Sequence, residues 1–496
     1  MSTFSYSEST PAAMSLITID NFINNAYVKP QNGIYFDTFE PSRGRPYAKI
    51  PDSAATDVEL AYKAAASAFP AWSKTSAAER SNIMNKIANL LESRLDEFAE
   101  AESRDQGKPV ELARTVDIPR AIHNFRFYAS KIIHATEEAG ELPGVGLSYT
   151  QRMPVGVAGL ISPWNLPLYL LTWKIAPCIA SGNTAVCKPS EFTSMTAFLL
   201  CSVFIDAGLP TGVVNMVFGT GMGAGQAIVD HPRIPLISFT GGTVTGAKII
   251  ANSAKHFKKL SLELGGKNAN IVFADSNLEA ALNTSVRSSF ANQGEICLCG
   301  SRIFVERPVY QQFLDGLVAR AKNLKVGDPR SKDTNLGALV SREHWEKVTG
   351  YIQLSLEEGG KIECGGQKPS SLQDEFKDGY FLEPTIISGL TPQCRVMREE
   401  IFGPVVTIYP FDTEEEVIQL ANDSVYGLSC SVWTENIRRA RRVAGAIQAG
   451  TVWVNTWMAR DLRMPFGGMK QSGLGREGGD HSLNFYSEIK TICLAD

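Results

Sequence analysis

The stretch Val155-Gly-Val-Ala-Gly-Leu-Ile161-Ser-Pro-Trp-Asn-Leu-Pro167 is a short apolar run that ends in a polar turn. Four more apolar runs follow it, with helical stretches between them, at residues 184–187, 213–218, 236–239 and 260–264. Strands that alternate with helices predict a mostly parallel sheet with helices on both faces. A second alternating series begins at Asn270 and extends past Val452. We therefore expect an α/β fold that contains two doubly wound α/β domains.

The composition is that of an ordinary globular chain, with 496 residues, 44% of them hydrophobic and 20% charged. The formal net charge of −4 predicts no binding to nucleic acid. We expect no membrane interaction, because no apolar run approaches the roughly 20 residues that a membrane span needs. The nine cysteines are scattered, which is typical of a reducing compartment and predicts a cytoplasmic protein. Since neither they nor the six histidines cluster, we expect no metal site.

The segment ahead of the first strand series has the pattern of helices, over residues 56–135. From residue 77 to residue 102, apolar side chains recur at helical spacing, and this pattern stops near Gly107. The first residues are polar and lack the basic start and apolar core of a secretory signal. We expect them to form a loose tail, in which Met14 is an alternative start.

Cys297 is the candidate nucleophile, in the polar segment Asn292-Gln-Gly-Glu-Ile-Cys297-Leu-Cys299. A thiolate attacks an aldehyde carbon readily, and it is also a good leaving group from a thioester. Two alternatives stay open from the residues alone. Cys297 could be a buried structural cysteine, or Cys299 could be the reactive thiol.

Two further polar residues suit the chemistry of a thioester. Glu263, beside the turn Gly265-Gly266, can activate a water molecule for hydrolysis. Asn165 follows the strand 155–161, at the end where open α/β sheets bind ligands, and its amide can stabilise a developing oxyanion. The structural alternatives are a surface carboxylate or an ion pair for Glu263, and a helix cap for Asn165.

Other strand ends carry residues that suit a dinucleotide. Lys188 and Glu191 follow the strand 184–187, and a carboxylate that binds ribose hydroxyls favours NAD over NADP. Two glycine-rich turns, at 219–225 and 239–246, also follow strands, and the second begins a helix whose free N–H groups suit a phosphate. Neither turn lies in the first βα unit, where the dinucleotide fingerprint occurs, so each by itself is more typical of a tight turn than of a phosphate site.

With these motifs together, the chain resembles the aldehyde dehydrogenase superfamily from about Asp20 to Lys490. The motifs are, in the family's order, Pro163-Trp-Asn165, Lys188-Pro-Ser-Glu191, Phe239-Thr-Gly-Gly242, Leu262-Glu-Leu-Gly-Gly-Lys267, Gln293-Gly-Glu-Ile-Cys297, Glu400-Ile-Phe-Gly-Pro404 and Pro465-Phe-Gly-Gly-Met-Lys-Gln-Ser-Gly473. The resemblance implies NAD-dependent oxidation of a small-molecule aldehyde through a thiohemiacetal and a thioester.

The resemblance also assigns roles to residues. It implies Cys297 as the nucleophile, Glu263 as the general base and Asn165 as the oxyanion donor. The implied cofactor-binding residues are Ser162, Trp164, Lys188, Glu191, Gly221, Gly225, Phe239, Gly241, Gly242, Leu264, Glu400 and Phe402. Two positions depart from the family pattern. Gly242 stands where the family commonly has Ser, and Glu295 stands where it often has Gln, so we expect a weaker phosphate contact and a raised pKa for the Cys297 thiol.

The family fold implies three parts and an N-terminal tail. The implied parts are a tail at 1–19, an NAD-binding domain at 20–141 and 154–263, a catalytic domain at 264–476 and an oligomerisation arm at 142–153 and 477–496. The arm implies a homodimer or a homotetramer.

Arg120 and Arg460 stand at substrate-tunnel positions that are apolar in many members of the family. Arginines there can bind a carboxylate with two hydrogen bonds, and the alternative is that they form surface ion pairs. The surrounding sequence resembles one branch of the family, whose substrates are unsaturated semialdehydes that carry a carboxylate. We expect such a substrate; a broad-range aldehyde dehydrogenase, a CoA-dependent acyl transferase and a non-catalytic structural protein are the alternatives.

Overall fold

The computed structural model describes residues 16–495, in which strands and helices alternate. The strands are, in chain order, β1 (Ile17–Thr18), β2 (Asn21–Ile23), β3 (Ala26–Val28), β4 (Tyr35–Glu40), β5 (Arg45–Pro51), β6 (Ala139–Leu142), β7 (Gly146–Pro154), β8 (Val157–Ile161), β9 (Thr184–Lys188), β10 (Val214–Met216), β11 (Leu236–Thr240), β12 (Lys259–Glu263), β13 (Ala269–Val272), β14 (Arg302–Glu306), β15 (Lys361–Cys364), β16 (Thr385–Ser388), β17 (Val405–Phe411), β18 (Tyr426–Gly427), β19 (Ser429–Trp433), β20 (Thr451–Val454), β21 (Met469–Lys470), β22 (Gly473–Leu474) and β23 (Ser487–Ala495).

The α-helices cover most of the chain between these strands. They are α1 (Ala55–Trp72), α2 (Ala77–Ser93), α3 (Leu95–Gln106), α4 (Val110–Leu112), α5 (Ile118–Ile133), α6 (Pro167–Ala180), α7 (Met195–Asp206), α8 (Gln226–Asp230), α9 (Thr243–Ser253), α10 (Leu278–Phe290), α11 (Tyr310–Lys322), α12 (Arg342–Glu357), α13 (Arg395–Arg398), α14 (Glu414–Asn422), α15 (Ile437–Ala446) and α16 (Gly479–Phe485). None of them is long and apolar enough to cross a membrane.

Two large sheets organise the molecule. The first has eight strands in the order β22-β12-β11-β8-β9-β10-β2-β3, and the five strands from β12 to β10 in this order run parallel. The second has seven strands in the order β15-β16-β17-β14-β13-β19-β20, and β15 alone is antiparallel to its neighbour. The expected α/β fold with two mostly parallel sheets is confirmed.

Each large sheet packs apolar side chains on both of its faces. On β9, Ala185 and Cys187 belong to one buried cluster, whereas Val186 between them belongs to another. The second sheet shows the same alternation, because Ile271 and Val272 of β13 belong to different clusters. Since successive strand residues point to opposite faces, both sheets are covered by helices on two sides, as doubly wound folds require.

A smaller sheet of β6, β7 and β23 lies apart from these two. The strands β7 and β23 pair along their whole length, from Pro154 opposite Ser487 to Gly146 opposite Ala495. The hairpin partner β6 begins at Ala139.

The expected tail at 1–19 is described only in part. Its first fifteen residues, which include Met14, lie outside the described residues. Strand β1 lies within the expected tail and pairs in parallel with β5. The domain boundaries expected from the sequence stay predictions.

The predicted end of the helical pattern near Gly107 corresponds to the end of α3. Gly107 has a φ of 92°, in the left-handed region that glycine adopts without strain. Its carbonyl accepts a hydrogen bond from the N–H of Ala338, at 3.1 Å, so the turn packs against a segment that is distant along the chain. A Cβ atom at Gly107 would lie 2.5 Å from the Ala338 carbonyl oxygen.

Gly107→Ala is therefore expected to lower the thermal unfolding midpoint, because it adds left-handed strain and a clash with backbone. The matched control is Gly208→Ala. Gly208 follows α7 with a φ of 74°, and a Cβ atom there would have no neighbour within 4 Å, so the control tests the strain alone. We expect the control to cost ~1 kcal/mol and Gly107→Ala ~3 kcal/mol. Equal midpoints for the two variants in calorimetry would contradict the close packing at Ala338.

Candidate active site

Four neighbouring parallel strands of the first sheet end side by side. In register, Ile161 of β8 lies opposite Lys188 of β9 and Phe239 of β11, and Thr240 of β11 lies opposite Glu263 of β12. The polar turns that follow these strands therefore share one edge of the sheet, which is where ligands bind in open α/β folds.

The second sheet supplies loops that precede its strands. Cys297 lies between α10 and β14, and Glu400 and Phe402 lie before β17. Gly294 has a φ of 73°, and a Cβ atom there would overlap the backbone of Gly403. This glycine therefore allows the cysteine loop to pack directly on the loop that carries Phe402.

A cavity of about 290 Å³ lies between the two sets of loops. All three predicted catalytic residues line it, namely Cys297, Glu263 and Asn165. Six predicted cofactor-binding residues also line it, namely Trp164, Gly241, Gly242, Leu264, Glu400 and Phe402, and so do Arg120 and Arg460. The other predicted cofactor-binding residues lie in or just after strands of the first sheet; these are Ser162 after β8, Lys188 and Glu191 at the end of β9, Gly221 and Gly225 after β10, and Phe239 in β11.

Cys297 is half-buried and faces the cavity, whereas Cys299 is buried. Burial raises the pKa of the Cys297 thiol above its ordinary value, and the carboxylates of Glu263 and Glu400 raise it further, while Arg460 opposes them. Glu295 is not among these main causes, so the expectation that it raises this pKa stays a prediction. The Glu295 carboxylate is engaged elsewhere, since it accepts hydrogen bonds from Gln106 and from the N–H of Val340.

Glu263 is buried at the end of β12, with 5% of its surface exposed. Among residues 16–495 its Oε1 atom has no hydrogen-bond partner, so the structural alternative of an ion pair does not apply there. Burial raises the pKa of this carboxyl well above its usual range, and the nearby charge of Glu477 adds to the effect. A carboxyl in this state can exchange a proton with a cavity water rather than serve as a permanent charge.

Asn165 is held by hydrogen bonds from both its amide and its backbone. Its Nδ2 atom donates to the backbone oxygen of Glu295 at 2.8 Å, and its own carbonyl accepts from Lys108 Nζ at 3.0 Å and from Asn292 Nδ2 at 3.1 Å. The helix-cap alternative is wrong, because α6 is preceded by Leu166 and has no side-chain cap. The second N–H of the Asn165 amide is left to face the cavity.

The strand ends next to the cavity present groups that suit a dinucleotide. Lys188 Nζ lies 2.6 Å from Glu191 Oε2, and the N–H of Gly221 donates to Glu191 Oε1 at 3.1 Å. At the start of α9, Gly242 has open space around the position of a Cβ atom. This helix N-terminus is therefore not covered at Gly242, and its first N–H groups suit a phosphate.

Phe402 and Glu400 form the wall opposite these strand ends. Glu400 Oε1 accepts a hydrogen bond from the N–H of Gly266 at 2.7 Å. Phe402 has a φ of 63°, and the edge of its ring meets Trp164 at a centroid distance of 5.3 Å. His344 Nε2 lies 2.6 Å from the Phe402 carbonyl, and burial lowers the pKa of His344 to about 4. His344 is therefore neutral near pH 7 and donates to this carbonyl.

Arg120 and Arg460 line the cavity next to aromatic rings. The guanidinium of Arg120 lies 5.5 Å from the ring centre of Tyr169. The guanidinium of Arg460 lies 5.1 Å from the ring of Trp173 and 3.8 Å from the ring of Phe466. Across residues 16–495 neither arginine has a carboxylate within ion-pair distance, so the alternative of surface ion pairs does not hold within that part of the chain.

Sequence reasoning missed several side chains that line the cavity. They are Tyr169, Trp173, His344, Lys347, Phe466 and Glu477. Trp173 and Phe466 lie inside stretches that match the family, so their motifs could have revealed them. His344 and Glu477 carry no local signal, because their positions depend on packing between distant segments.

Comparison with known proteins is consistent with this geometry. The sequence model of the aldehyde dehydrogenase family matches residues 27–492. The chain is 54% identical to 2-aminomuconic semialdehyde dehydrogenase of Danio rerio, over 97% of this chain and 98% of the relative. It is 52% identical to the Homo sapiens protein of the same name, over 96% and 98%. The NAD+ complex structure of aldehyde dehydrogenase from Bacillus cereus is similar with a TM-score of 0.93 and 40% identity, over 96% of each chain. The chain belongs to the aldehyde dehydrogenase family.

Proposed function

We propose that the protein oxidises 2-aminomuconate 6-semialdehyde to 2-aminomuconate with NAD, a step of tryptophan catabolism through kynurenine. The observation that carries this proposal is the position of Arg120 and Arg460, which line the same cavity as Cys297 without a carboxylate partner among residues 16–495. The similarity to two relatives named for this semialdehyde supports the same substrate. The related 2-hydroxymuconic semialdehyde carries the same carboxylate, so it is the second candidate.

The chemistry begins with the Cys297 thiolate, which attacks the aldehyde carbon and forms a thiohemiacetal. The free amide N–H of Asn165 and the backbone N–H of Cys297 stabilise the oxyanion. NAD, when bound, supplies the acceptor for the hydride that leaves this carbon. Glu263 then takes a proton from a water molecule, which attacks the thioester carbon, releases the acid and returns the cysteine sulfur as the leaving group.

The residues at the strand ends fit a dinucleotide. In the part of the chain that the structure describes, the hydroxyls of Ser162 and Thr240 are buried without a hydrogen-bond partner, and both lie at this edge. We assign Glu191 with Lys188 to the adenosine ribose and Glu400 to the nicotinamide ribose, where carboxylates accept from ribose hydroxyls. The charge of Glu191 repels a 2′-phosphate, which favours NAD over NADP.

We further propose that the protein is a cytoplasmic homodimer or homotetramer. All nine cysteines are free, which favours a reducing compartment. The sheet of β6, β7 and β23 exposes several large apolar side chains, namely Leu142, Leu147, Met153, Ile489 and Leu494. Exposed apolar surface of this kind favours association, so we assign this sheet to subunit contacts.

The proposed activity is tested by following NADH formation from enzymatically prepared 2-aminomuconate 6-semialdehyde, 2-hydroxymuconic semialdehyde and hexanal, with and without CoA. We expect NADH from both semialdehydes, with no requirement for CoA, and a kcat/KM for hexanal lower by at least about tenfold, since one buried bidentate carboxylate contact has this magnitude. Cys297→Ala is the inactive control. The absence of NADH from every aldehyde would refute the catalytic proposal, and a strict need for CoA would replace hydrolysis by acyl transfer.

Arg120→Ala and Arg460→Ala are expected to lower kcat/KM for the acidic semialdehydes far more than for hexanal, by about tenfold or more each. The physical reason is the loss of two donors to the substrate carboxylate. Arg463→Ala is the matched control, because the Arg463 guanidinium is already paired with Asp461, at 3.0 Å from Nε and 2.5 Å from Nη2. Equal decreases in kcat/KM on acidic and neutral aldehydes would contradict the assignment of the two arginines to the substrate carboxylate.

The pH dependence of kcat/KM follows from the raised pKa values of Cys297 and Glu263. Cys297 must lose a proton to attack and Glu263 must lose one to act as a base, so kcat/KM falls as the pH drops and still rises above about pH 8.5, the ordinary range of a thiol. Rates of alkylation of Cys297 by iodoacetamide are measured alongside. Because Arg460 lowers the thiol pKa, Arg460→Ala should move the alkylation curve to higher pH, whereas Arg463→Ala should not. A plateau already reached below about pH 7 would contradict this account.

A further inference from the structure

The side chain of Arg460 is held in an unusual way for a long cation. Such a side chain loses rotamer freedom when it is ordered, so contacts must compensate for that loss. The Arg460 guanidinium lies over the faces of two rings, Trp173 and Phe466, which we call the aromatic clamp. The N–H donors of a guanidinium lie in its plane. Contacts with its flat face therefore leave these donors free to bind a carboxylate. Arg463, in the same loop, has its donors occupied by Asp461 instead.

One residue holds both rings of the clamp. The Glu477 carboxylate accepts a hydrogen bond from Trp173 Nε1. The backbone of Glu477 pairs with that of Phe466 in both directions, at 2.7 Å and 2.8 Å between nitrogen and oxygen. The two rings belong to α6 and to the segment before β21, so they are far apart along the chain. Glu477 therefore sets the spacing between them.

Glu477 is itself anchored to the first sheet. Its Oε1 atom accepts hydrogen bonds from Ser261 at 3.1 Å and Ser238 at 3.3 Å, which lie on neighbouring strands. The buried ammonium of Lys174 lies 3.6 Å from the same oxygen. These partners satisfy the carboxylate, so it does not turn toward Arg460 and neutralise the charge that a substrate would need.

We propose that Glu477 is a positioning residue that gives the enzyme its selectivity for acidic aldehydes, by fixing the aromatic clamp around Arg460. The fixed clamp presents the guanidinium donors toward the cavity before substrate arrives, which reduces the ordering cost of binding. This inference rests on the proposed function, since it takes the substrate carboxylate as the partner of Arg460. It adds a determinant of specificity that does not touch the substrate carboxylate.

Trp173→Phe tests the proposal, because it keeps an aromatic face for Arg460 but removes the N–H that binds Glu477. Trp433→Phe is the matched control. Trp433 is also buried and donates its indole N–H to Asn270 Oδ1 at 3.1 Å, but it lies in the second sheet and is not among the residues that line the cavity. The readout is the ratio of kcat/KM for 2-hydroxymuconic semialdehyde to that for hexanal. We expect Trp173→Phe to lower this ratio about tenfold, through KM of the acidic substrate, and the control to leave it within about twofold.

Two variants of Glu477 separate the hydrogen bond from the charge. Glu477→Gln keeps an oxygen that accepts from Trp173, so the ratio should stay within about twofold of the wild type. Glu477→Ala removes the acceptor, so the ratio should fall as in Trp173→Phe. A ratio that is unchanged in Trp173→Phe, or a decrease in kcat of equal size on both substrates, overturns the proposal. A different outcome tests the proposed function itself. If the wild-type enzyme shows no preference for the acidic aldehyde over hexanal, the proposed substrate is wrong, and the role of the clamp fails with it.

Discussion

The site depends on close backbone contact where the two large sheets meet. The connection Gly265-Gly266 leads from β12 of the first sheet to β13 of the second, and a Cβ atom at Gly265 would overlap the carboxylate of Glu400. A side chain at Gly266 would meet the carbonyl of Cys297 at 2.8 Å. A side chain at Gly266 would therefore clash with the backbone of the Cys297 loop, and one at Gly265 would displace the Glu400 carboxylate. This contact brings the carboxyl ends of one sheet against the loops that precede the strands of the other.

The same close packing determines the electrostatics of the cavity. Three ionisable groups with acidic protons line the cavity: Glu263 is buried, and Cys297 and Glu400 are half-buried. Their removal from water raises the pKa of each. Like charges in a region of low dielectric repel, so these groups do not all ionise together at neutral pH. Protons can then move between the thiol, the carboxyl and water at a modest free-energy cost. The proposed formation and hydrolysis of a thioester needs groups that change protonation state within one turnover.

The sequence predicted the parts of the fold and the site that follow from strand periodicity and from residues at strand ends. Strand ends on parallel strands share an edge, so Lys188, Glu263 and the turn with Asn165 could be placed together before the structure. Side-chain direction within a loop follows no such rule, which is why the sequence did not show that the Glu295 carboxylate accepts a hydrogen bond from Gln106. Glu477 was missed for a related reason. Its contacts with Trp173 and Ser261 arise from tertiary packing between segments far apart along the chain, and no periodicity or motif carries them.

The two ends of the cavity are coupled through Arg460. Its charge lowers the pKa of the Cys297 thiol, so it favours the thiolate as well as the proposed substrate carboxylate. A carboxylate bound to Arg460 offsets that charge, so Arg460 then lowers the pKa of the Cys297 thiol less. Thiolate formation is thus most favourable in the free enzyme, before the acidic aldehyde binds. The aromatic clamp, Trp173 and Phe466, suits both tasks because it holds the guanidinium without neutralising it, which a carboxylate partner from the protein would do.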